Sequence, residues 1–391
     1  MGLYLKMYVI LLAAAVMVTV MMKSNITIDQ LWVKTVDLQK LIPHEFTSQH
    51  DLFLREDLET TPEAPYMTQM VVEWDVTTSD CMANYSVAQT MWFNSLEPKF
   101  QNYVLYRHCR YFPIVMNHPE KCSEDTYLLV VIKSVVTHHD RRELIRKTWG
   151  KKQEIDGKKI RTLFLLGEAL DDGESAHHQK LLEYENEIFG DILQWNFLDS
   201  FYNLTLKETH FLKWFSIYCH KVRYIFKGDD DIFVNIPNII EYLKETQVKN
   251  LFVGDVIFSA KPIRNRESKY YIPKELYSKP RYPPYAGGGG FVMDGVLARK
   301  LYMASQSIEL YPIDDVFLGM CLRSLQVKPI KHNAFKTFGL VKDKSSILNK
   351  EPCFFKSLIV VHKLLPPELI KMWELVNRDL ICTHKYDYVH L

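Results

Sequence analysis

The sequence carries three consecutive carboxylates, Asp229, Asp230 and Asp231, between the strand-like residues YIFKG and IFVN. Three adjacent carboxylates repel one another in a partly buried place, and a divalent cation removes that repulsion. Oxygen ligands at the end of a strand favour Mg²⁺ or Mn²⁺, shared with the phosphates of a substrate. The triplet therefore predicts a metal and phosphate site, and a solvated acidic turn is the alternative interpretation.

Two side chains of this triplet and one distant histidine are the candidate metal ligands. Residues i and i+2 of an extended strand point to the same side, so we expect Asp229 and Asp231 to share a site and Asp230 to point away. His362 ends the apolar run SLIVV, where an imidazole can complete a metal shell. A purely structural histidine is the other interpretation.

A second acidic pair, Asp314 and Asp315, lies in YPIDDVFLGMCL, ahead of an apolar helical pattern. Aspartate is favoured as a helix N-cap, so a structural role is one interpretation. Apolar surroundings raise the proton affinity of a carboxylate, and such a group can act as a general base. The two roles are compatible, because one aspartate can cap the helix while the other accepts a proton.

Four consecutive glycines, at positions 287–290, follow the residues RYPPYA. Such a run costs conformational entropy, so we expect the backbone there to approach a ligand closely or to adopt unusual dihedral angles. A flexible hinge is the alternative. The run is not a phosphate-binding P-loop, because the GK[ST] ending is absent.

Three basic residues, Lys133, Arg142 and Arg146, lie at and just beyond the end of the first strong strand pattern. Charge-assisted hydrogen bonds from such side chains would suit an anionic diphosphate. A basic cluster on the surface is the alternative interpretation.

The elements that must position these residues alternate between strand and helix. Buried-strand patterns occur at 127–136, 161–167, 190–194 and 224–235, and helical patterns at 140–150, 168–187 and 204–220. This alternation predicts an α/β domain with a largely parallel sheet, which binds ligands at the carboxyl ends of its strands. Asp140 is the expected N-cap of the first of these helices.

The N-terminus predicts a membrane anchor. Residues 7–22 are uncharged and apolar between two lysines, close to the length that spans a bilayer. We expect a cytoplasmic tail at 1–6, a transmembrane signal-anchor at 7–22, a stem at 23–80 and a luminal catalytic domain at 81–391. A cleaved signal peptide is the alternative, although no small-residue cleavage site follows.

Several features agree with a luminal location. None of the seven cysteines forms a CxxC pair, and in an oxidising compartment they allow up to three disulfides with one thiol left over. The sequons at Asn84 and Asn203 are candidate glycosylation sites. The formal net charge is +1, which lacks the basic excess of a nucleic-acid-binding protein.

Long blocks of the chain resemble the β1,3-glycosyltransferases of family 31. The matching blocks are RRELIRKTWG, TLFLLG, DSFYNLTLKETHFLKW, FKGDDDIFVN, YPPYAGGGGFVMDG and YPIDDVFLGMCL. They occur in the family's order over about residues 125–322, with further similarity through VVHK. Within the family, YPPYAGGGGF, ELYPIDDV and FKTFG most resemble the β1,3-N-acetylglucosaminyltransferases.

This resemblance implies an inverting enzyme of the GT-A nucleotide-sugar transferase fold, with UDP-N-acetylglucosamine as donor and Mn²⁺ (or Mg²⁺) as cofactor. It implies that Asp315 is the catalytic base and that Asp231 and His362 are the protein ligands to the metal. The donor-binding residues that it implies are Lys133, Arg142, Arg146, Asp229, Asp230, Gly288, Gly289 and Asp314.

The implied reaction adds N-acetylglucosamine to the 3-hydroxyl of a terminal β-galactose, as in poly-N-acetyllactosamine or keratan-sulfate chains of a glycoprotein or proteoglycan. The implied location is the Golgi membrane, in a single-pass type II orientation. Three alternatives stay open on the sequence: a β1,3-galactosyltransferase of the same family, a catalytically inactive luminal glycan-binding protein, and a metal-dependent phosphohydrolase.

Overall fold

A computed structural model describes residues 73–122, 125–170, 173–338 and 350–382. The predicted tail, the predicted signal-anchor and most of the predicted stem lie outside these ranges. No helix within the described ranges has the length and apolar character needed to cross a membrane.

The amino-terminal half of the described chain alternates short helices with strands. Its elements are α1 (Tyr85–Ala88), α2 (Met91–Asn94), α3 (Pro98–Tyr106), β1 (Ile114–Met116), β2 (Thr126–Lys133), α4 (His139–Lys147), β3 (Gln153–Ile155), β4 (Lys158–Glu168), α5 (Ser175–Phe189), β5 (Ile192–Leu198) and α6 (Leu204–Tyr218).

The carboxyl-terminal half continues the same alternation. Its elements are β6 (Tyr224–Asp229), β7 (Ile232–Val234), α7 (Ile236–Glu245), β8 (Phe252–Ile257), β9 (Tyr285–Asp294), α8 (Gly295–Ser307), α9 (Asp314–Ser324), β10 (Ile330–Lys331), β11 (Phe335–Lys336), α10 (Pro352–Ser357), β12 (Val360–His362) and α11 (Pro366–Val376).

Strands of the described chain form one large mixed sheet in the order β1-β5-β4-β2-β6-β9-β8-β10, with β3 paired to β4. Strands β5, β4, β2 and β6 are parallel neighbours, whereas β9 runs antiparallel to both β6 and β8. The predicted α/β class with a mostly parallel sheet is therefore confirmed. A parallel sheet requires helical crossovers, and α4, α5 and α6 supply them.

A small second sheet, in the order β11-β12-β7, branches from the large one. The chain leaves the large sheet at Asp229 and enters the small one at Ile232, which pairs with His362 of β12. The prediction of a single strand over 224–235 is therefore wrong. A turn at Asp230 and Asp231 divides it into strands of two different sheets.

The large sheet carries an apolar layer on each face. Leu129 and Val131 of β2 belong to the layer that includes α6, α8 and α9. Leu128, Val130 and Ile132 belong to the opposite layer, which includes α4, α7, α10 and α11. The near-continuous apolar run of β2 is thus explained, because a central parallel strand is covered on both sides.

Three disulfides fasten the periphery to this core, and they agree with the cysteine count. They are Cys81–Cys109, Cys122–Cys219 and Cys353–Cys382, and Cys321 stays free and buried. At the end of the predicted stem, the Trp74 indole donates to the carbonyl of Phe112 at 3.1 Å.

The predicted cap of α4 requires a correction. His138 is the N-cap residue, and Asp140 lies within the first turn of the helix. A carboxylate in the first turn also interacts favourably with the helix dipole. An aspartate there therefore resembles an N-cap residue, and the sequence pattern places the start of the helix one or two residues late.

Candidate functional site

Four of the predicted site residues meet at one edge of the large sheet: Lys133, Asp229, Asp315 and His362. Lys133 and Asp229 are the last residues of the parallel neighbours β2 and β6 and are register partners. Because parallel strands end at the same edge, their polar side chains are brought together. His362 ends β12, and Asp315 lies in the first turn of α9, beside the glycine strand β9.

A cluster of three potential metal ligands lies at this edge. Nε2 of His362 lies 3.0 Å from Oδ1 of Asp231 and 3.6 Å from Oδ2 of Asp229. One ligand atom from each residue lies within 4.8 Å of the other two. The expected orientation of Asp229 and Asp231 is confirmed, although a turn and not a continuous strand produces it.

The imidazole of His362 is oriented by the backbone. Its Nδ1 lies 2.7 Å from the carbonyl oxygen of Thr337, which can only accept a hydrogen bond. Nδ1 must therefore carry the proton in the neutral ring, and the lone pair of Nε2 faces the two carboxylates. Metal-binding histidines are commonly held by such a contact from the other ring nitrogen.

Asp230 points into a separate polar cluster, as expected. Its Oδ2 accepts from the Ser134 hydroxyl at 2.8 Å and lies 2.7 Å from Nδ1 of His138. Its Oδ1 accepts from Arg141 at 2.9 Å. Burial would raise the pKa of Asp230, but these partners hold it below its usual value.

Lys133 bridges the two acidic motifs beneath the site. Its ammonium lies 2.6 Å from Oδ2 of Asp314 and 3.1 Å from Oδ1 of Asp229, and its side chain is almost wholly buried. Burial would lower the pKa of Lys133, but these carboxylates raise it well above its ordinary value. The lysine therefore keeps its charge, and it pairs with Asp314, which lies 181 positions further along the chain.

Asp315 is a buried carboxylate with a raised affinity for a proton. Burial and the negative charge of Asp314 raise its pKa well above the ordinary value, against the opposing charge of Lys133. The backbone N–H of Gly288 donates to its Oδ2 at 2.8 Å and fixes the direction of the group. Asp314, in contrast, has a lowered pKa, because Lys133 more than offsets its burial. The two adjacent aspartates are thus differentiated by their surroundings.

The glycine run is part of β9 and makes room for the surrounding side chains. A Cβ atom at Gly288 would lie 2.9 Å from Oδ1 of Asp315, and one at Gly289 would lie 2.9 Å from the ring of His362. At Gly287 the Cβ would lie 2.3 Å from the side chain of Thr337. The glycines therefore let the candidate base and the candidate ligand approach the strand from different sides.

A second buried ion pair lies close to the site and joins β6 to α6. Lys227, two residues before Asp229, is fully buried, and its ammonium lies 2.5 Å from Oε2 of Glu208 on α6. Burial lowers the pKa of Lys227 in spite of the charge of Glu208.

The two predicted donor-binding arginines are engaged with acidic partners on α5 and at the start of β5. Arg142 is fully buried and binds Glu185 through Nε at 2.7 Å and Nη2 at 2.8 Å. Arg146 binds Asp191 at 2.8 and 2.7 Å and also contacts Glu185 at 2.8 Å. The structure therefore does not bring these guanidinium groups into the cluster around Asp229.

The two candidate glycosylation sequons differ in their surroundings. Asn84 is exposed, and its Oδ1 accepts from the Ser86 hydroxyl of the same sequon at 2.6 Å. Asn203 is half-buried and donates to the Leu198 carbonyl at 2.8 Å, while the Thr205 hydroxyl is buried and donates to Tyr311. Modification at either position stays a prediction.

Some functional neighbours carry no signature in the sequence. The carbonyl of Thr337 orients His362, yet every residue type offers the same carbonyl. In the sequence, Glu208 looks like an ordinary polar residue of a helix. The helix is buried nearly all round, however, and a charged residue between Lys207 and Thr209 on such a helix indicates a buried partner of opposite charge. Lys227, inside the strand pattern YIFKG, is a comparable signal.

Comparison with known proteins agrees with this geometry. A family model described as galactosyltransferase matches residues 140–333. The chain is 57% identical over 330 residues to UDP-GlcNAc:betaGal beta-1,3-N-acetylglucosaminyltransferase 7 of Rattus norvegicus, covering 83% of this chain and 82% of the rat protein. It is 42% identical over 305 residues to N-acetyllactosaminide beta-1,3-N-acetylglucosaminyltransferase 3 of Homo sapiens, covering 77% and 82%.

The chain therefore belongs to the galactosyltransferase family of glycosyltransferases, and the resemblance to family 31 is confirmed. Within that family its matches include several β1,3-N-acetylglucosaminyltransferases. The enzyme numbered 7 from Mus musculus, like that from rat, is 57% identical over 330 residues.

Proposed function

We propose that this protein is an inverting glycosyltransferase of the GT-A type that moves N-acetylglucosamine from UDP-N-acetylglucosamine to the 3-hydroxyl of a terminal β-galactose. The observation that carries the proposal is the placement of Asp315 beside Asp229, Asp231 and His362 at the carboxyl edge of the sheet. The names of the relatives at 57% identity support the choice of donor and acceptor.

The residues at this edge fit a divalent cation. Four carboxylates, those of Asp229, Asp231, Asp314 and Asp315, lie at this edge, and the ammonium of Lys133 contacts two of them, Asp229 and Asp314. Two carboxylates and an imidazole Nε2 form a donor set suited to Mn²⁺, and His362 is held with that nitrogen facing inward. Asp231 and His362 would hold the ion, with Asp229 beside them.

The bound cation would act as a Lewis acid that offsets the charge growing on the departing diphosphate. Asp315 accepts the proton from the galactose 3-hydroxyl as that oxygen attacks the anomeric carbon from the face opposite UDP. The Gly288 N–H keeps the carboxylate oriented, and burial raises its proton affinity, as a base working near neutral pH requires. General-base assistance of this kind contributes ~10²–10⁴-fold to the rate.

Lys133 holds acidic residues of the site in fixed positions. Its contacts with Asp229 and Asp314 fix a residue of each acidic motif at the same edge. The donor-binding residues all stay predictions: Lys133, Arg142, Arg146, Asp229, Asp230, Gly288, Gly289 and Asp314. Arg142, Arg146 and Asp230 have the partners described above, so any part they take in donor binding would be indirect.

The location that we propose is the Golgi membrane, with the described residues in the lumen and residues 7–22 as the anchor. The three disulfides support this, because such bridges persist in oxidising compartments. Fluorescence microscopy of the tagged full-length chain beside a Golgi marker tests the location. Protease protection of the carboxyl terminus in intact vesicles tests the orientation.

A donor comparison tests the reaction. The full-length protein, purified in detergent with Mn²⁺, is offered UDP-N-acetylglucosamine or UDP-galactose with N-acetyllactosamine as acceptor. We expect transfer from the first donor, little from the second, and loss of transfer in EDTA. Preferential transfer from UDP-galactose would instead identify a β1,3-galactosyltransferase, and release of phosphate without an acceptor would identify a phosphohydrolase.

A further inference from the structure

Asp255 of β8 is a half-buried carboxylate that has no role in the chemistry described so far. Its side chain is 16% exposed and binds two different segments of the chain. Oδ1 accepts from the ammonium of Lys331 at 3.0 Å, and Oδ2 accepts from the backbone N–H of Thr337 at 3.2 Å. Asp255 therefore joins β8 of the large sheet to the residue that directly follows β11 of the small sheet.

Thr337, which Asp255 binds, is also the residue that orients the candidate metal ligand His362. The N–H of Thr337 donates to Asp255, and its carbonyl oxygen lies 2.7 Å from Nδ1 of His362. Nε2 of that ring lies 3.0 Å from Oδ1 of Asp231. A continuous series of contacts thus runs from Asp255 through the backbone of Thr337 to the imidazole and to the carboxylate that faces it.

The pairing of β8 with β9 places Asp255 beside the glycine run. The register of the two strands shifts between Gly254 and Val256, and there Asp255 alone lies opposite the four glycines. Such a bulge bends the strand and changes the direction of its side chains. A Cβ atom at Gly287 would lie 2.3 Å from Cγ2 of Thr337. Both Asp255 and the glycine strand therefore limit the positions that Thr337 can take.

The ion pair with Lys331 does not account for Asp255. The side chain of Lys331 is 47% exposed and also donates to the carbonyl of Val256 at 3.3 Å. Exposed ion pairs of this kind contribute little to stability. The contact with Thr337, in contrast, joins a carboxylate to a backbone N–H, and a hydrogen bond to an ionised acceptor is roughly twice as strong as one between neutral groups.

The orientation of a metal-binding imidazole affects how well it binds the ion. Partners that hold the other ring nitrogen fix the tautomer and the direction of the ring, and their loss lowers metal affinity. The partner of His362 is a backbone carbonyl, which no substitution of Thr337 removes, apart from displacing it. Asp255 is a side chain through which the position of this carbonyl can be changed.

We propose that Asp255 is a positioning residue for the candidate metal site: by binding the N–H of Thr337, it fixes the carbonyl that orients His362. This inference rests on the proposed function, because it concerns the cation that is assigned there to Asp231 and His362. It gives Asp255 no contact with the cation and no part in the chemical step.

Titration of the full-length protein in detergent with Mn²⁺ tests this role, because electron paramagnetic resonance of the free ion gives the Kd without any transfer reaction. We expect Asp255→Ala to raise the Kd for Mn²⁺ about 10-fold, the lower end of the effect of outer partners. Asp255→Asn keeps an oxygen that can accept from Thr337, and we expect its Kd to stay within about threefold of the wild type.

Transfer kinetics give a second measurement. We expect Asp255→Ala to raise the Mn²⁺ concentration that half-activates transfer by the same factor as the Kd. At saturating Mn²⁺ its kcat should approach that of the wild type, because Asp315 keeps its contact with Gly288. If Asp255→Ala does not fold, Asp255→Ser replaces it, since serine keeps a polar group that is one bond shorter, and the same rise is expected.

The matched control is Lys331→Gln, which removes the ion pair and leaves the contact of Asp255 with Thr337 in place. It should leave the Kd for Mn²⁺ unchanged. A rise in Lys331→Gln equal to that in Asp255→Ala would assign the effect to the ion pair and overturn the proposal. An unchanged Kd in the folded alanine or serine variant, with a wild type that binds Mn²⁺, overturns the positioning role alone. A wild type that binds no Mn²⁺ overturns the metal site of the proposed function itself.

Discussion

At the scale of single residues, the two neighbouring aspartates of α9 show how surroundings assign roles. Asp314 is paired with Lys133 at 2.6 Å and keeps its charge, whereas Asp315 lies beside that charge and holds a proton more tightly. Their position at the start of the helix would not by itself distinguish the two aspartates. The pairing with Lys133 therefore leaves Asp315 as the group able to accept a proton during the reaction.

Replacing Asp315 by Asn should remove the base without changing the size of the side chain. We expect kcat to fall by ~10²–10⁴-fold, the range of general-base assistance, while Mn²⁺-dependent UDP binding is kept. Rapid-quench or steady-state transfer measurements give kcat, and calorimetry gives the UDP affinity. Normal turnover in this variant would show that another group takes the proton.

A methyl group at Gly288 should disturb the same carboxylate from the strand side. The Cβ of Gly288→Ala would lie 2.9 Å from Oδ1 of Asp315, so the carboxylate has to shift. A displacement of about 1 Å in an active site can cost on the order of 10²-fold in rate, and we expect a loss of that order in kcat.

The control for this variant is Gly157→Ala. Gly157 lies in the turn between β3 and β4 at φ +70°, with nothing within 4 Å of its Cβ position. This change strains the backbone and lowers stability but should leave kcat unaltered. A Gly288→Ala variant as active as the control would mean that the close approach to Asp315 does not matter.

Residue types and spacing predicted the main groups of the site, including the opposite directions of Asp230 and its two neighbours. They could not predict that Arg142 and Arg146 are held by Glu185 and Asp191, because an ion pair across 43 or 45 positions leaves no local pattern. The orienting carbonyl of Thr337 is equally invisible, since it belongs to the backbone.

At the scale of elements, the contact between α4 and α5 depends on one buried carboxylate. Glu185 of α5 accepts hydrogen bonds from Arg142 and lies 2.6 Å from Nδ1 of His139, both on α4. Burial would raise the pKa of Glu185, but these partners and Arg146 lower it to about 2. The two helices are therefore joined electrostatically on one face of the sheet.

This contact should make stability depend on pH in a defined window. The folded-state pKa of Glu185 lies below its ordinary value of 4.5, so its stabilisation is present above about pH 4.5 and is lost as the pH falls towards 2. We expect Glu185→Gln to reduce the free energy of unfolding at neutral pH by on the order of 2–3 kcal/mol. As the pH falls from about 4.5 towards 2, the free energy of unfolding of that variant should fall less steeply than that of the wild type.

Urea unfolding followed by fluorescence at a series of pH values measures this difference. Glu183→Gln is a suitable control, because Glu183 is exposed on the same helix. If Glu185→Gln and the wild type lose stability in parallel over the whole pH window, the Glu185 carboxylate does not carry the charge assumed here.

The elements themselves were largely predictable where the pattern is strong. The strand at β2 and the helix at α6 lie where the apolar runs and helical periodicity place them. The glycine run gave no strand signal, because glycine has low β-propensity and no side chain to show alternation. The strand there is held by its pairing with β6 and β8, and the side chains of Asp315, His362 and Thr337 pack against its glycines.

At the scale of the whole molecule, disulfides connect distant parts of the described chain. Cys122 precedes β2 and Cys219 follows α6, so this bridge closes a loop of 97 residues that contains four strands of the large sheet. Cys81–Cys109 closes only 28 residues at the periphery. In the chain-entropy account, the longer loop restricts the unfolded chain more.

We expect the double variant Cys122→Ser with Cys219→Ser to lose ~2–5 kcal/mol of stability. The double variant at Cys81 and Cys109 should lose about 1 kcal/mol less, as the shorter loop requires. Thermal unfolding of both variants beside the wild type provides the comparison. A larger loss for the peripheral pair would show that local packing outweighs loop length.

The central claim concerns the whole site, and the stereochemistry of its product tests that claim most directly. The full-length protein is incubated with Mn²⁺, UDP-N-acetylglucosamine, whose sugar is α-linked, and N-acetyllactosamine, and the purified product is analysed by NMR spectroscopy. In-line attack assisted by Asp315 predicts a single new N-acetylglucosamine in β linkage to the galactose 3-position. An α linkage, or attachment at another position of galactose, would contradict the account.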